Sequence, residues 1–220
     1  MTASRLTVPI EPMIVPALTL VLLIFGYLLG SLSSAIIVSR VMGLSDPRTQ
    51  GSGNPGATNV LRLAGKGPAA IVLLGDMLKG LVPLLVAGYF ELPPMALAGI
   101  ALAPFLGHLY PAFFDFQGGK GVATFFGVLL GLSWTVGALA LLTWLAVALL
   151  FRRSSLAALS AALMAPLYLH WLHAPLPLLV VTIAMSTLLV LRHQTNIQNL
   201  LRGAEPKINF SRKTEPVVKQ

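Results

Sequence analysis

Four long stretches of the chain, residues 12–39, 92–114, 121–151 and 154–191, contain no Asp, Glu, Lys or Arg. A helix needs about 20 apolar residues to cross the hydrocarbon core of a bilayer, so each stretch holds at least one crossing. The pattern predicts a first helix within residues 13–39, ending near Arg40. A second fits residues 67–90, interrupted only by Asp76 and Lys79. Glu91, Pro93 and Pro94 mark a turn, after which a third helix runs to about His108. Residues 154–191 are too long for one span, and "HAPLP" at 173–177 divides them. Proline stops a helix and pushes the residue before it toward extended geometry.

Residues 121–151 exceed one comfortable span but fall short of two full ones, with "GLSW" at 131–134 as the available break. Charge decides. With two crossings, Arg40, Arg48, Arg62, Lys66, Lys120, Arg152, Arg153 and the basic tail from Arg192 share one side, leaving only Arg5 on the other. The positive-inside rule selects that arrangement. The expected fold is therefore an all-α integral membrane protein of about seven transmembrane helices, amino terminus out and carboxyl terminus in. The short piece from Gly121 reads as a broken helix, tolerated where protein or a water-filled cavity covers its ends. Residues 1–203 form one transmembrane domain, and 204–220 a polar, poorly ordered carboxyl-terminal tail.

Composition agrees: 56 % of residues are hydrophobic and 10 % charged, outside the range of soluble domains. The first apolar stretch follows no A-x-A-like cleavage pattern and reads as a retained span. No cysteine is present, which excludes disulfide and thiolate chemistry. The net charge of +8 sits in short loops between spans, where it specifies topology and attracts anionic lipid or substrate rather than nucleic acid.

The topology collects the polar clusters on the cytoplasmic side. In "GSGNPGATN" at 51–59, small residues expose backbone N–H groups that can point into one concavity. Ser52, Asn54 and Thr58 add side-chain donors, Gly53 and Asn59 belong to the same cluster, and Arg62 supplies a planar fork suited to phosphate. "QGGKG" at 117–121 repeats the theme, placing Lys120 beside the amides of Gly118 and Gly119 and the start of a helix at Gly121. The G-x-x-x-x-G-K-[ST] spacing is absent, which disfavours ATP hydrolysis. His193 and Asn196 share a face if the last span continues past Arg192. His108 reads as structural, and His170 and His173 as interfacial. No histidine pair has metal-ligand spacing with a carboxylate, so no metal site is expected.

Asp76 and Lys79 lie inside the second span at i, i+3 spacing. Two readings stand, a proton or substrate path and a mutual ion pair that locks helices together, and the pair is preferred. Asp46 and Asp115 are the only carboxylates in the glycine-rich loops. Neither sits in a recognisable Ser-His-Asp order. Neither His108 nor His193 has an Asp five residues on, the spacing used by soluble-type glycerolipid acyltransferases. Anion binding is abundant and no nucleophile is evident.

"GSGNPGATNVLR" with "GK" at 65–66, "GHLYPAFFDFQGGKGVAT" and "LRHQTNIQNLLRGAEPK" closely resemble the three cytoplasmic motifs of the PlsY family, over residues from about 20 to 207. The departures are a longer amino terminus, Gln117 where a lysine is common, and a tail past Lys207. The resemblance implies a bacterial inner-membrane enzyme with a cytoplasm-facing site. It would transfer a fatty acyl group from acyl-phosphate to the 1-hydroxyl of glycerol 3-phosphate, giving lysophosphatidic acid and inorganic phosphate. No cofactor or metal is implied; the partners are the two substrates, membrane lipid and the enzyme that makes acyl-phosphate. Carried over by motif position, Ser52, Arg62, Lys120, Ser155, His193 and Asn196 contact substrate. His193 is assigned to substrate binding, with the role of general base as the competing assignment. The rival classes are a transporter of an organic phosphate and a purely structural subunit. Both explain less: alternating access needs polar openings on both faces, and a structural subunit needs no chemically rich loops.

Overall fold

The computed structural model describes residues 14–208, and among these the regular structure is helical throughout. The chain forms α1 (Ile14–Ser31), α2 (Ser34–Val41), α3 (Ala57–Ala64), α4 (Lys66–Tyr89), α5 (Pro94–Leu109), α6 (Val122–Leu132), α7 (Trp134–Phe151), α8 (Ser154–Trp171), α9 (Leu176–Arg192) and α10 (Gln194–Leu201). Of these, α1, α4 and α7 are each long and apolar enough to cross a membrane, and α9 with α10 qualifies as a bent pair. Leu142, Leu149 and Leu150 are 61, 61 and 77 % exposed on α7, a lipid-facing surface rather than one for water.

Local chemistry explains the ends. Helix α5 starts on Pro94, whose missing N–H and fixed φ suit the first turn. Helix α7 is capped by Ser133, whose Oγ accepts the Val136 N–H at 3.4 Å. That cap falls inside "GLSW", where the sequence predicts the break. Eleven residues make α6 roughly 16 Å long, about half a hydrocarbon core. The loop ahead of α6 therefore dips toward the bundle.

Three expectations need correction. The first apolar stretch does not run as one helix to Arg40 but breaks at Leu32–Ser33. The first polar loop contains a helix, α3, so Thr58, Asn59 and Arg62 lie on helical turns rather than in a loop. The last span stops at Arg192, and α10 leaves it at 61°. The tail boundary also moves. Residues 204–208 fold back onto the helices, with the Ile208 N–H donating to the Arg152 carbonyl at 2.6 Å. The rest of that tail, 209–220, lies outside the described residues, as do residues 1–13.

The break between α1 and α2 explains the two ionisable residues of α4. Lys79 Nζ donates to the Leu32 carbonyl at 2.9 Å, satisfying an acceptor that the break leaves bare. The same ammonium stands 2.9 Å from Asp76 Oδ1, an ion pair inside the bundle. Asp76 in turn meets Ser34, the first residue of α2, at the positive end of that helix. The ion-pair reading holds: Lys79 neutralises Asp76 inside the bundle and satisfies the carbonyl freed by the broken helix.

Helix association in lipid depends on close packing rather than on hydrophobic drive. Helices α4 and α6 meet backbone to backbone: a Cβ on Gly80 would overlap the Thr124 carbonyl, and one on Gly127 the Met77 carbonyl. Phe105 of α5, Phe125 and Leu129 of α6 and Leu189 of α9 fill the centre. This core holds the start of α6 against α4 and α9, where the polar segments gather.

Candidate active site

A cavity of about 200 Å³ opens where α3, the start of α6, the start of α8 and the α9–α10 bend converge. Its polar wall includes Ser52, Asn54, Thr58, Arg62, Lys120, Ser155, His193 and Asn196, residues spread over 145 positions of sequence. Its other wall is apolar, formed by Leu73, Met77, Phe126, Leu141 and Trp144. A second, more open hollow shares Ser52, Arg62, Lys120 and Asn196 and adds Gly53 and Gly118. Gly119 borders neither.

The first polar segment is built to stay open. Gly51 and Gly53 sit at φ +62° and +69°, where an L side chain is strained. Asn59, 1 % exposed on α3, ties the turn from inside. Its Oδ1 accepts the Ser52 N–H at 3.0 Å, and its Nδ2 donates to the Pro47 and Gln50 carbonyls at 2.9 and 3.0 Å. Asn59 thus shapes the segment and has no amide group to spare for a ligand. Ser52, Asn54 and Thr58 keep their side chains toward the cavity, and Arg62 reaches over it from α3. Asp46 pairs with Arg48 at 2.9 Å, and Asp115 lies 3.9 Å from the same guanidinium. Both loop carboxylates are therefore engaged away from the cavity wall.

At Gly119 the second segment departs from the reading of exposed amides. The Gly119 N–H donates to the His108 carbonyl at 3.2 Å. Arg192 donates to the Gly118 carbonyl at 2.9 Å and to the Gly119 carbonyl at 3.1 Å, and its guanidinium lies over the Tyr110 ring. What this segment presents is Lys120 itself, backed by the αL glycine Gly121 that starts α6. Burial lowers the Lys120 pKa; Glu205 opposes the shift, and Arg192 and Arg62 add to it.

At the bend after α9, His193 is 3 % exposed and its Nδ1 hydrogen-bonds the Leu189 carbonyl at 2.8 Å. A carbonyl only accepts, so Nδ1 carries the proton and Nε2 is the free acceptor. Burial lowers the ring pKa to about 4, and Lys120 adds to that shift, so the imidazole is neutral at physiological pH. Asn196, one turn into α10, accepts from Lys120 Nζ through Oδ1 and donates from Nδ2 to Glu205 Oε1 at 2.8 Å.

Glu205 escapes the sequence reading. It is 5 % exposed, accepts the Ser155 hydroxyl at 2.5 Å on the same Oε1, and leaves Oε2 buried without a partner. It joins Ser155, Asn196 and Lys120 into one network whose links come from α8, the tail, α10 and the loop before α6. A signal did exist: Glu205 is one of seven acidic residues and follows Gly203, the residue type that ends helices. Among the described residues, no group of three metal-ligating side chains occurs.

Residues 20–203 match the family model described as glycerol-3-phosphate acyltransferase. A curated relative of that name from Methylococcus capsulatus is 55 % identical over 93 % of this chain and 99 % of its own. Another, from Thioalkalivibrio sulfidiphilus, is 53 % identical over 90 % of this chain and 97 % of its own. Crystal structures of PlsY (YgiH), an integral membrane glycerol 3-phosphate acyltransferase, superpose with TM-scores of 0.84 for the glycerol 3-phosphate form and 0.81 for the lysophosphatidic acid form. These structures are 41 and 40 % identical, each covers 87 % of this chain, and the match spans 96 and 95 % of their own lengths. With the fold, the motifs and the relatives in agreement, the chain belongs to the glycerol-3-phosphate acyltransferase family and is a bacterial integral membrane acyltransferase.

Proposed function

We propose that the protein transfers a fatty acyl group from acyl-phosphate to the 1-hydroxyl of glycerol 3-phosphate. One observation carries this reading. Two cations from separate segments, Arg62 and Lys120, border one cavity with Ser52, Ser155, His193 and Asn196, and that cavity has an apolar wall. Two phosphate-bearing substrates and an acyl chain need that combination. Leu73, Met77, Phe126, Leu141 and Trp144 receive the chain, while Arg62, Lys120, Ser52, Asn54 and Thr58 hold the phosphates.

Acyl-phosphate is an activated anhydride, so no covalent enzyme intermediate is required. The hydroxyl oxygen bonds to the acyl carbon, the bond from that carbon to the phosphate oxygen breaks, and lysophosphatidic acid and phosphate leave. The hydroxyl proton ends on phosphate. His193 Nε2 accepts a hydrogen bond from the attacking hydroxyl and orients it, and an imidazole pushed down to about 4 does not retain the proton. Positioning and charge neutralisation do most of the catalysis. The protein crosses the bacterial inner membrane about seven times, amino terminus out, and its catalytic domain extends past residue 203 to take in Glu205. The cavity faces the cytoplasm, where the enzyme that makes acyl-phosphate can deliver its product.

The test is purified protein in detergent with both substrates. Phosphate release that requires both supports the acyltransferase. Uptake of an organic phosphate into sealed vesicles without turnover supports the transporter and removes the acyl-transfer reading.

A further inference from the structure

Under the second glycine-rich segment lies a set of buried ionisable groups that this chemistry does not use. Asp76 and His108 are 2 and 7 % exposed, yet both border the cavity. The His108 ring fills the gap between α4 and the segment. On one edge, Nδ1 stands 3.7 Å from Asp76 Oδ1 and has no hydrogen-bond partner. On the other edge, Nε2 faces Gly119, so closely that a Cβ there would collide with Nε2 and come within 3.1–3.2 Å of two ring carbons. The backbone of His108 grips the same residue by accepting its N–H. Nor can the ring retreat. Behind it, Lys79 holds Asp76 at 2.9 Å, and the Leu32 carbonyl holds Lys79 at 2.9 Å.

We propose that His108 is a positioning residue for Lys120: its ring, wedged between Asp76 and Gly119, sets the height at which the glycine segment crosses the cavity and so places the ammonium. Arg192 pins the segment's carbonyls, and His108 limits how far the segment can sink. Lys120 follows Gly119 directly, so a shift at Gly119 passes to the lysine backbone. A charge-assisted contact to phosphate is lost steeply with such displacement. Gly119 is then required for clearance over an imidazole, and Gly118 for clearance over the His108 and Leu109 carbonyls. This inference rests on Lys120 holding a substrate phosphate.

The experiment is a double-mutant cycle in the full chain: His108→Ala, Gly119→Ala and both together, with kcat and KM measured for each substrate. Each single change is expected to raise KM for one phosphate-bearing substrate about tenfold while kcat stays within about threefold. In the double variant the new methyl enters the vacated ring space, and most of the Gly119→Ala loss is recovered. A ring that only fills space would lower the melting temperature and the active fraction without moving KM. Additive losses, or losses confined to kcat, overturn the proposal. If His108→Ala does not assemble, His108→Gln replaces it in the cycle, and absence of any relief is again the overturning result. Lys120→Ala separates the two failures. If it leaves both KM values unchanged, the phosphate reading of Lys120 fails and this proposal with it. If it raises KM while the cycle is additive, only the positioning role of His108 fails.

Discussion

Residues 51–59 and 117–121 resemble each other as strings, each small, polar and followed or joined by one long cation. Folded, they are held in different ways. The first spends the N–H groups of Ser52, Gly53 and Gly56 on its own turn, tied from inside by Asn59, and lines the cavity with the residues Ser52, Asn54 and Thr58. The second spends its backbone on the protein, with both glycine carbonyls on Arg192 and the Gly119 N–H on the His108 carbonyl. Only the Arg48 carbonyl stands near a Cβ placed on Gly53, at 3.3 Å, whereas one on Gly118 would meet backbone from His108 and Leu109. Glycine-rich composition says that a backbone can approach something closely. It does not say whether that something is a ligand or the rest of the chain.

The strongest way to break this comparison is to remove each segment's cation. Lys120→Ala should lower kcat/KM for phosphate release by up to about 100-fold, because a charge-assisted hydrogen bond is worth roughly 1.5–3 kcal/mol and Lys120 also orients Asn196. Arg62→Ala should cost about ten- to thirtyfold, since its side chain is exposed and solvent screens it. A larger loss for Arg62 would mean that the first segment, not the second, holds the decisive charge.

Arg192→Ala comes next, with a loss of about tenfold, seen in KM more than in kcat. It frees two carbonyls and loosens the segment without touching substrate. Arg192→Lys should not restore it, because one ammonium cannot reproduce a fork spread over both oxygens. Full rescue by lysine would reduce Arg192 to a simple surface charge.

How far the sequence reaches follows from the same contrast. Uncharged runs locate the helices because a bilayer leaves the backbone few alternatives. Arg62 and Lys120 stand out because cations in polar segments of an apolar chain have few other uses, whereas His193 and Asn196 stand out through the motif they belong to. The break at Leu32–Ser33 is invisible, since neither residue is a helix breaker, and the group that satisfies the freed Leu32 carbonyl is a lysine 47 positions away. The role of Glu205 is hidden for a related reason. Its partners Ser155 and Asn196 come from α8 and α10, and only the fold puts them within 2.8 Å. The spent amides of Gly119 and the inward use of Asn59 likewise depend on tertiary contacts that no local pattern encodes.

A smaller effect distinguishes the segments by stability. Gly53→Ala places an L side chain at φ +69° and should cost about 1 kcal/mol, read as a lower melting temperature in detergent. Activity of the folded fraction should change less than threefold, because Gly53 borders only the outer hollow and a Cβ there approaches the Arg48 carbonyl alone.

The smallest effect is one of pH, and it belongs to the second segment alone. Its charged neighbours are Glu205, which favours the Lys120 ammonium, and Arg192 and Arg62, which oppose it; burial is the larger influence and lowers the pKa. A lysine that must be charged to hold phosphate then loses its proton earlier as pH rises, so kcat/KM should fall on the alkaline side sooner than for a free lysine. On the acid side His193, pushed to about 4, stays neutral down to about pH 5. From there to neutrality no inflexion from His193 should appear. Lys120→Arg should move the alkaline limb upward at a reduced rate, because a guanidinium keeps its charge but not the geometry of the ammonium. An acid limb between pH 6 and 7 that His193→Gln abolishes would instead assign the proton to His193 and overturn its role as a neutral hydrogen-bond acceptor.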